Sequence, residues 1–157
     1  MNTADIPDGF KPYRIDNTFN DVIAPIYLKI DRGQPVLGLR VQKHHCNYGE
    51  FAHGGCLMTL LDIALSGAVC NALGLYTATP TINFSVDFMA PANIGDWIQV
   101  DILSVDMKNT MGFVNALIEG PRGRVARASG CFKLPGDKAR HAGLAADEYH
   151  RWRQSPP

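Results

Sequence analysis

The chain has 157 residues, 46% hydrophobic and 19% charged, enough for one domain that buries roughly two-thirds of the surface its unfolded form would expose; this excludes a disordered chain and any need for covalent staples. Its 15 basic and 15 acidic side chains give a formal net charge of zero, which argues against nucleic acid as a partner and leaves little self-repulsion to hold subunits apart. Four cysteines at unrelated spacings (Cys46, Cys56, Cys70, Cys131), behind an N-terminus with no basic and apolar leader pattern, predict a cytoplasmic protein with reduced thiols.

In chain order, residues 1–17 read as an irregular N-terminal arm with two prolines and a glycine, 18–134 as the folded domain and 135–157 as a mixed tail. "NTFNDVIAPIY" offers a Thr or Asn cap and a short helical turn ending near Pro25. Strands over 26–31 and 36–42 form a hairpin around Gly33 and Pro35. From Gly54 to Leu73 the apolar residues Leu57, Leu60, Leu61, Ala64, Leu65, Ala68 and Ala72 recur every three or four positions, which predicts a helix that stops at Gly74. Met58, Ile63, Val69 and Cys70 lie off that stripe, so the helix is expected to be wrapped rather than laid on a surface. Thr59, Asp62, Ser66, Gly67 and Asn71 interrupt it, and a membrane span is not expected. Four more strands follow, at 81–88, 94–105, 112–119 and 124–133, and a short helix is possible near 145–153. The order predicts an α+β domain whose curved antiparallel sheet of about five to six strands surrounds one long central helix.

The chemistry concentrates in "NYGEFAHGGCLMTLLD", residues 47–62. Asp62 is the single formal charge between Phe51 and Val86, and a carboxylate in apolar surroundings costs several kcal/mol unless paired, hydrogen-bonded or protonated. Alternatively it faces water along a polar edge with Thr59 and Ser66. Gly54 and Gly55 open the helix, where the first amides have no intrahelical partner and offer donors to a developing oxyanion. They also suit a plain tight turn. The lysine and hydroxyl of a phosphate-binding loop are missing after them. Eight residues place Asp62 roughly 12 Å along the axis from the Gly54 amide. One carbonyl cannot easily meet both, so if both are catalytic, the simplest arrangement is a two-fold dimer in which Gly54 of one subunit faces Asp62 of the other.

"HHCNYGEFAHGGCLMTLLDIALSGAV" resembles the motif region of the hotdog-fold acyl-CoA thioesterases, in the branch similar to phenylacetic-acid-degradation thioesterases, where an Asn, a Gly, His-Gly-Gly and an Asp seven residues beyond the second Gly recur. "FNDVIAPIYLKI" and "TPTINFSVDFMAPANIGD" resemble flanking segments, so the likeness covers roughly residues 18–133. It implies that Asp62 acts as general base or nucleophile across a dimer interface, and that the Gly54 amide polarises the thioester carbonyl. It further implies that Asn47 lies near that carbonyl, that Thr81 orients the nucleophile, and that His53 orients the loop or lies near the leaving thiol. Gly55, Met58 and Phe84 are substrate-contact candidates; Lys108, Arg122 and Arg124, with Arg127 and Lys133, are candidates for the coenzyme A phosphates. The expected partners are an acyl-CoA substrate and further copies of the chain, as a dimer or a dimer of dimers. No cofactor or metal is implied.

Rival readings use the same residues. His44, His45, Cys46 and His53 are zinc-competent types, but neighbours in an extended segment point to opposite faces and no second cluster completes a site. Cys56 near the helix start could be an activated thiol, or an ordinary small core residue. At the level of function the rivals are a hotdog dehydratase or hydratase, which pairs a catalytic His with an acid in a different motif, and a non-catalytic acyl-CoA-binding protein.

Overall fold

The computed structural model describes residues 6–14, 18–136 and 144–154. Strand β1 (Lys11–Pro12) is followed by a 3-10 turn over Phe19–Ile23, whose Asn20 amide donates to the Thr18 hydroxyl. Strands β2 (Ile26–Asp31) and β3 (Gln34–Arg40) form the expected hairpin, and the long helix α1 runs over Gly54–Leu73. Beyond it come β4 (Leu75–Tyr76), β5 (Thr81–Phe88), β6 (Trp97–Lys108), β7 (Met111–Gly120), β8 (Gly123–Lys133), β9 (Leu144–Ala145) and α2 (Ala146–Arg153).

Seven strands form one curved antiparallel sheet in the order β1-β2-β3-β6-β7-β8-β5, with α1 against its inner face. This is the hotdog arrangement that the motif resemblance implies. The connection through α1 carries the chain from β3 to the opposite edge of the sheet, where β5 pairs only with β8 among the described residues.

α1 forms where the spacing predicts, and Gly74 closes it in the left-handed region at φ 67°, its amide reaching Asn71 and Cys70 carbonyls. Its core side carries Leu60, Leu61, Leu65, Ala68 and Val69, all fully buried against Ile98, Val100, Ile118 and Phe132 from the sheet. Each such leucine contributes about 2 kcal/mol of apolar burial. The expectation of a helix wrapped on all sides is corrected: Met58 is exposed, and Thr59, Asp62, Ile63 and Ser66 are only half-buried. A single copy of the sheet has one concave face and covers one side of the cylinder.

Three further differences have local causes. β6 starts at Trp97, not at residue 94, because Asn93–Asp96 form a turn in which the Asp96 carboxylate accepts from the Asn93 amide at 2.7 Å and Gly95 takes φ 89°. The seventh strand lies in the arm expected to be irregular: Lys11 and Pro12 pair with Leu28 and Tyr27, and Phe10 sits edge-on to Trp97 at 4.8 Å. The described part of the tail, which the sequence leaves unplaced, packs on the domain: β9 pairs with β4, and α2 folds back over Tyr76.

Candidate active site

Two places on α1 carry chemistry. At its start, His53 caps the helix: its backbone is extended (ψ 137°), its carbonyl accepts from Cys56 and Leu57, and its Nδ1 accepts the Gly55 amide at 2.9 Å. That bond fixes the tautomer, with any ring proton on Nε2. Among the described residues the Gly54 amide has no recorded partner. Gly54 lines an apolar cleft of about 460 Å³ with Phe51, Leu57, Phe88, Met89 and Ala90–Ala92. A side chain at position 54 would put its Cβ 3.1 Å from the Phe88 ring, so glycine keeps this approach open.

Asn47 is held behind the same cleft. Its Oδ1 accepts from the Gly49 amide at 2.8 Å and its own amide donates to the Phe51 carbonyl at 3.0 Å, closing a tight loop through the Cys46–Ala52 bridge. Asn47 therefore shapes the loop that presents Phe51, and does not itself line the cleft.

Two turns along the helix, Asp62 is half-buried and accepts from the Thr81 hydroxyl at 2.7 Å. An irregularity in β5 makes this bond possible. Asn83 pairs with Cys131 and Thr81 with Phe132, leaving Ile82 as an extra residue. Simple alternation from Phe84, which faces the core, would turn Thr81 outward; the bulge returns it to the side of buried Phe132 and the helix. Asp62 lines a second cavity of about 460 Å³ with Asn20, Ser66 and three tyrosines. Gly54 and Asp62 thus open on separate cavities of one chain.

The other candidates divide by place. Gly55 is spent on the His53 cap. Met58 lies exposed on the helix, and Phe84 packs on the core; neither lines either of these two cavities of the single chain. Arg122 pairs with Asp96 and so attaches to the 89–96 loop that walls the Gly54 cleft. Arg124 instead pairs with Glu119 at 3.4 Å and faces an outer groove with Arg127, whose partner is Asp87 at 2.8 Å. Lys108 sits at the opposite end of the sheet, opposite Met111.

Cys56 is buried and its thiol is pushed up to about 11 by desolvation, which removes the activated-thiol reading. His45 is buried and accepts the Gln42 amide at Nδ1 (2.9 Å), while the His44 ring lies 3.0 Å from the Ala24 carbonyl, so these imidazoles serve the loop. The sequence reading missed Tyr13, Tyr76 and Tyr149 beside Asp62. Their signal, aromatics in an arm and a tail, does not disclose where the segments dock.

The sheet order, the central helix against its inner face, and a hydroxyl-held carboxylate two turns along that helix from its glycine start define a hotdog-fold enzyme. A family model described as Thioesterase superfamily matches residues 49–126. A Pseudomonas aeruginosa protein named "Putative esterase PA0474" is 34% identical over 131 residues, covering 83% of this chain and 98% of its own length. Among solved structures, the PaaI protein of the phenylacetic acid degradation operon of E. coli is 25% identical with a TM-score of 0.65, over 76% of this chain and 86% of that one. A thioesterase protein from Streptococcus pneumoniae, solved with coenzyme A, is 25% identical with a TM-score of 0.65, over 74% and 90%. The chain belongs to the thioesterase superfamily, and its class is thioester hydrolase.

Proposed function

We propose that the protein hydrolyses an aromatic or medium-chain acyl-CoA to the free acid and coenzyme A, as a homodimer whose two sites each combine Asp62 of one subunit with Gly54 of the other. The observation that carries this is the Thr81–Asp62 bond of 2.7 Å in a cavity separate from the free Gly54 amide. Thr81 occupies Oδ1, which leaves Oδ2 to take a proton from water. The water oxygen bonds to the thioester carbon, the carbonyl oxygen takes the negative charge under the Gly54 amide, and the carbon–sulfur bond breaks as the thiolate leaves and is protonated.

The sheet supports the pairing. β5 is an edge strand with most of its residues exposed, including Ile82 and Phe88, and an unpaired edge of this kind is a template for another strand. Thr81 stands at the end of β5 level with Phe132, and Phe88 at the end level with Ala126, beside Gly54. Two copies of β5 related by a two-fold axis run antiparallel and set the Thr81 end of one against the Phe88 end of the other. The exposed side of α1 is covered in the same step. Arg122, at the Gly54 end, is the cation best placed for the coenzyme A phosphates; the pneumococcal relative solved with coenzyme A supports that substrate class. A dimer of dimers remains the expected assembly.

The test is thiol release from a panel of aryl and alkyl acyl-CoAs, with mass determination by light scattering. Hydration of an enoyl-CoA without thiol release, or acyl-CoA binding with no product, would overturn the reading.

A further inference from the structure

The polar edge of α1 that carries Asp62 continues one turn further to Ser66, and both side chains line the same cavity. A hydroxyl inside a helix often turns back onto the carbonyl four residues earlier. Thr59 does so, donating to the Gly55 carbonyl at 2.9 Å. Ser66 does not: among the described residues its hydroxyl meets only Thr79 Oγ1, at 2.8 Å, in the segment that leads into β5. Thr81 and Thr79 thereby fasten two successive turns of the helix, one at Asp62 and the other at Ser66.

The direction of the Ser66 bond follows from where each hydrogen goes. The Cys70 thiol donates its one hydrogen to the Thr77 carbonyl at 3.3 Å, so its sulfur can only accept. Thr79 Oγ1 lies 3.8 Å from that sulfur and donates to it, and the Thr79 oxygen then accepts the Ser66 hydroxyl. Thr79 and Cys70 are buried, where an unmade hydrogen bond is costly, and this direction uses every hydrogen of the chain. Ser66 is left with acceptor capacity only, one turn from the free oxygen of Asp62. Positions four apart on a helix stand roughly 5–6 Å from each other at Cβ, a span that one molecule bridges with two hydrogen bonds of about 2.8 Å. Two adjacent acceptors suit a ligand with two hydrogens on one atom, which is water. We infer that Ser66 is a catalytic residue of the hydrolysis: its Oγ accepts one hydrogen of the attacking water while Asp62 Oδ2 takes the other, and Thr79 and Cys70 are positioning residues that hold the Ser66 hydroxyl in this sense. The inference rests on the thioesterase reading of Asp62. As the water oxygen bonds to the thioester carbon, one proton passes to Asp62 and the hydrogen on Ser66 stays with the oxygen. That hydrogen ends on the acid when the carbon–sulfur bond breaks, and Asp62 returns its proton to the departing thiolate.

The experiment measures kcat and KM for thiol release on the full chain, with the acyl-CoA that the unaltered protein cleaves fastest. Ser66→Ala is expected to lower kcat about tenfold with KM changed by less than about twofold, the scale of one hydrogen bond made in the transition state. Thr79→Val removes the acceptor of the Ser66 hydrogen and is expected to give a similar loss, whereas Ser66→Thr keeps the hydroxyl and recovers most of the rate. Should Ser66→Ala lose its native circular dichroism, Ser66→Cys, whose sulfur is a weak acceptor, is measured in its place. The decisive comparison is made in an Asp62→Asn background by single-turnover kinetics. Two groups that act on one water are not additive, so Ser66→Ala is expected to cost less than about twofold more there, while a general defect in the fold would subtract its full factor again. An unchanged kcat in Ser66→Ala, or a second tenfold loss on top of Asp62→Asn, overturns the inference and leaves Asp62 in its role. If the unaltered chain cleaves no thioester, the hydrolase reading has failed and the role of Ser66 falls with it.

Discussion

The Thr81 hydroxyl donates to Asp62 Oδ1 across 2.7 Å, joining the edge strand to the central helix at the single carboxylate between Phe51 and Val86. The bond has two consequences. It holds one oxygen of the carboxylate, so the other has a defined direction for water. It also places the carboxylate at the margin of the uncovered edge of the sheet, where a second copy of β5 would seat.

Asp62→Asn removes the proton acceptor while keeping shape and the Thr81 contact. Thiol release from acyl-CoA is expected to fall by roughly 10²–10⁴, the usual range for an acid–base group. Thr81→Val deletes one hydrogen bond to a charged acceptor, and a loss of about 10- to 100-fold in kcat is expected. Thr81→Ser keeps the hydroxyl and should recover most of it. Steady-state kinetics on the three variants decide; a Thr81→Val enzyme with unaltered kcat would remove Thr81 from the site.

Gly54 permits a cleaner change than most oxyanion donors. It is the first residue of α1, where proline is well tolerated and the lost amide has no helical partner. The preceding His53, at ψ 137°, already has the extended backbone that proline demands. Gly54→Pro is therefore expected to lower kcat by about 10²–10³ with native circular dichroism retained. Gly54→Ala keeps the amide and crowds only the half-open Phe88 ring, so it should lose less. Equal losses in the two would point to crowding in the cleft and against the amide.

Sharing of sites between subunits has its own signature. Asp62→Asn and Gly54→Pro homodimers should each be nearly inactive, but a heterodimer of the two carries one intact site and one doubly damaged site. Purified through different tags, it is expected to show about half the activity of the unaltered dimer. Heterodimers as inactive as either parent would place both groups in one subunit's own site.

Which of these features the sequence discloses follows from the kind of signal each leaves. The helix over Gly54–Leu73 is written twice, in its three- and four-residue spacing and in the Gly74 stop, and Asp62 stands out because nothing else there is charged. Thr81 is different. Its facing depends on the extra residue Ile82, and a bulge leaves no periodic trace. Met58 and Phe84 leave an equally plain signal, since an apolar side chain bound for the core or for a subunit contact reads the same as one bound for a pocket. Tyr149 was beyond reach because its partners Tyr13 and Tyr76 are distant in the chain and are assembled only when α2 folds back.

His45 makes the fold sensitive to acid. The ring is 2% exposed, and its Nδ1 accepts the Gln42 amide at 2.9 Å, a bond that only the neutral ring can make. Burial above all, and then the neighbouring His44, lower its pKa from 6.5 to about 4. Above pH 6.5 the ring is neutral in both folded and unfolded chains, and the full stabilisation is present. As pH falls from there toward 4, the unfolded chain binds a proton that the folded chain refuses, so stability declines by at most about 1.4 kcal/mol per pH unit and about 3 kcal/mol in all. Urea denaturation at intervals from pH 7.5 to 4 should show this slope, and in His45→Gln the histidine's share of it should vanish, although that variant starts from lower stability. The ring can also be followed directly by NMR. A His45 resonance titrating near 6.5 in the folded protein would sink the assignment, whereas one that stays neutral down to about pH 5 would locate the acid-sensitive point in the loop that carries Asn47 and leads into the Gly54 helix start.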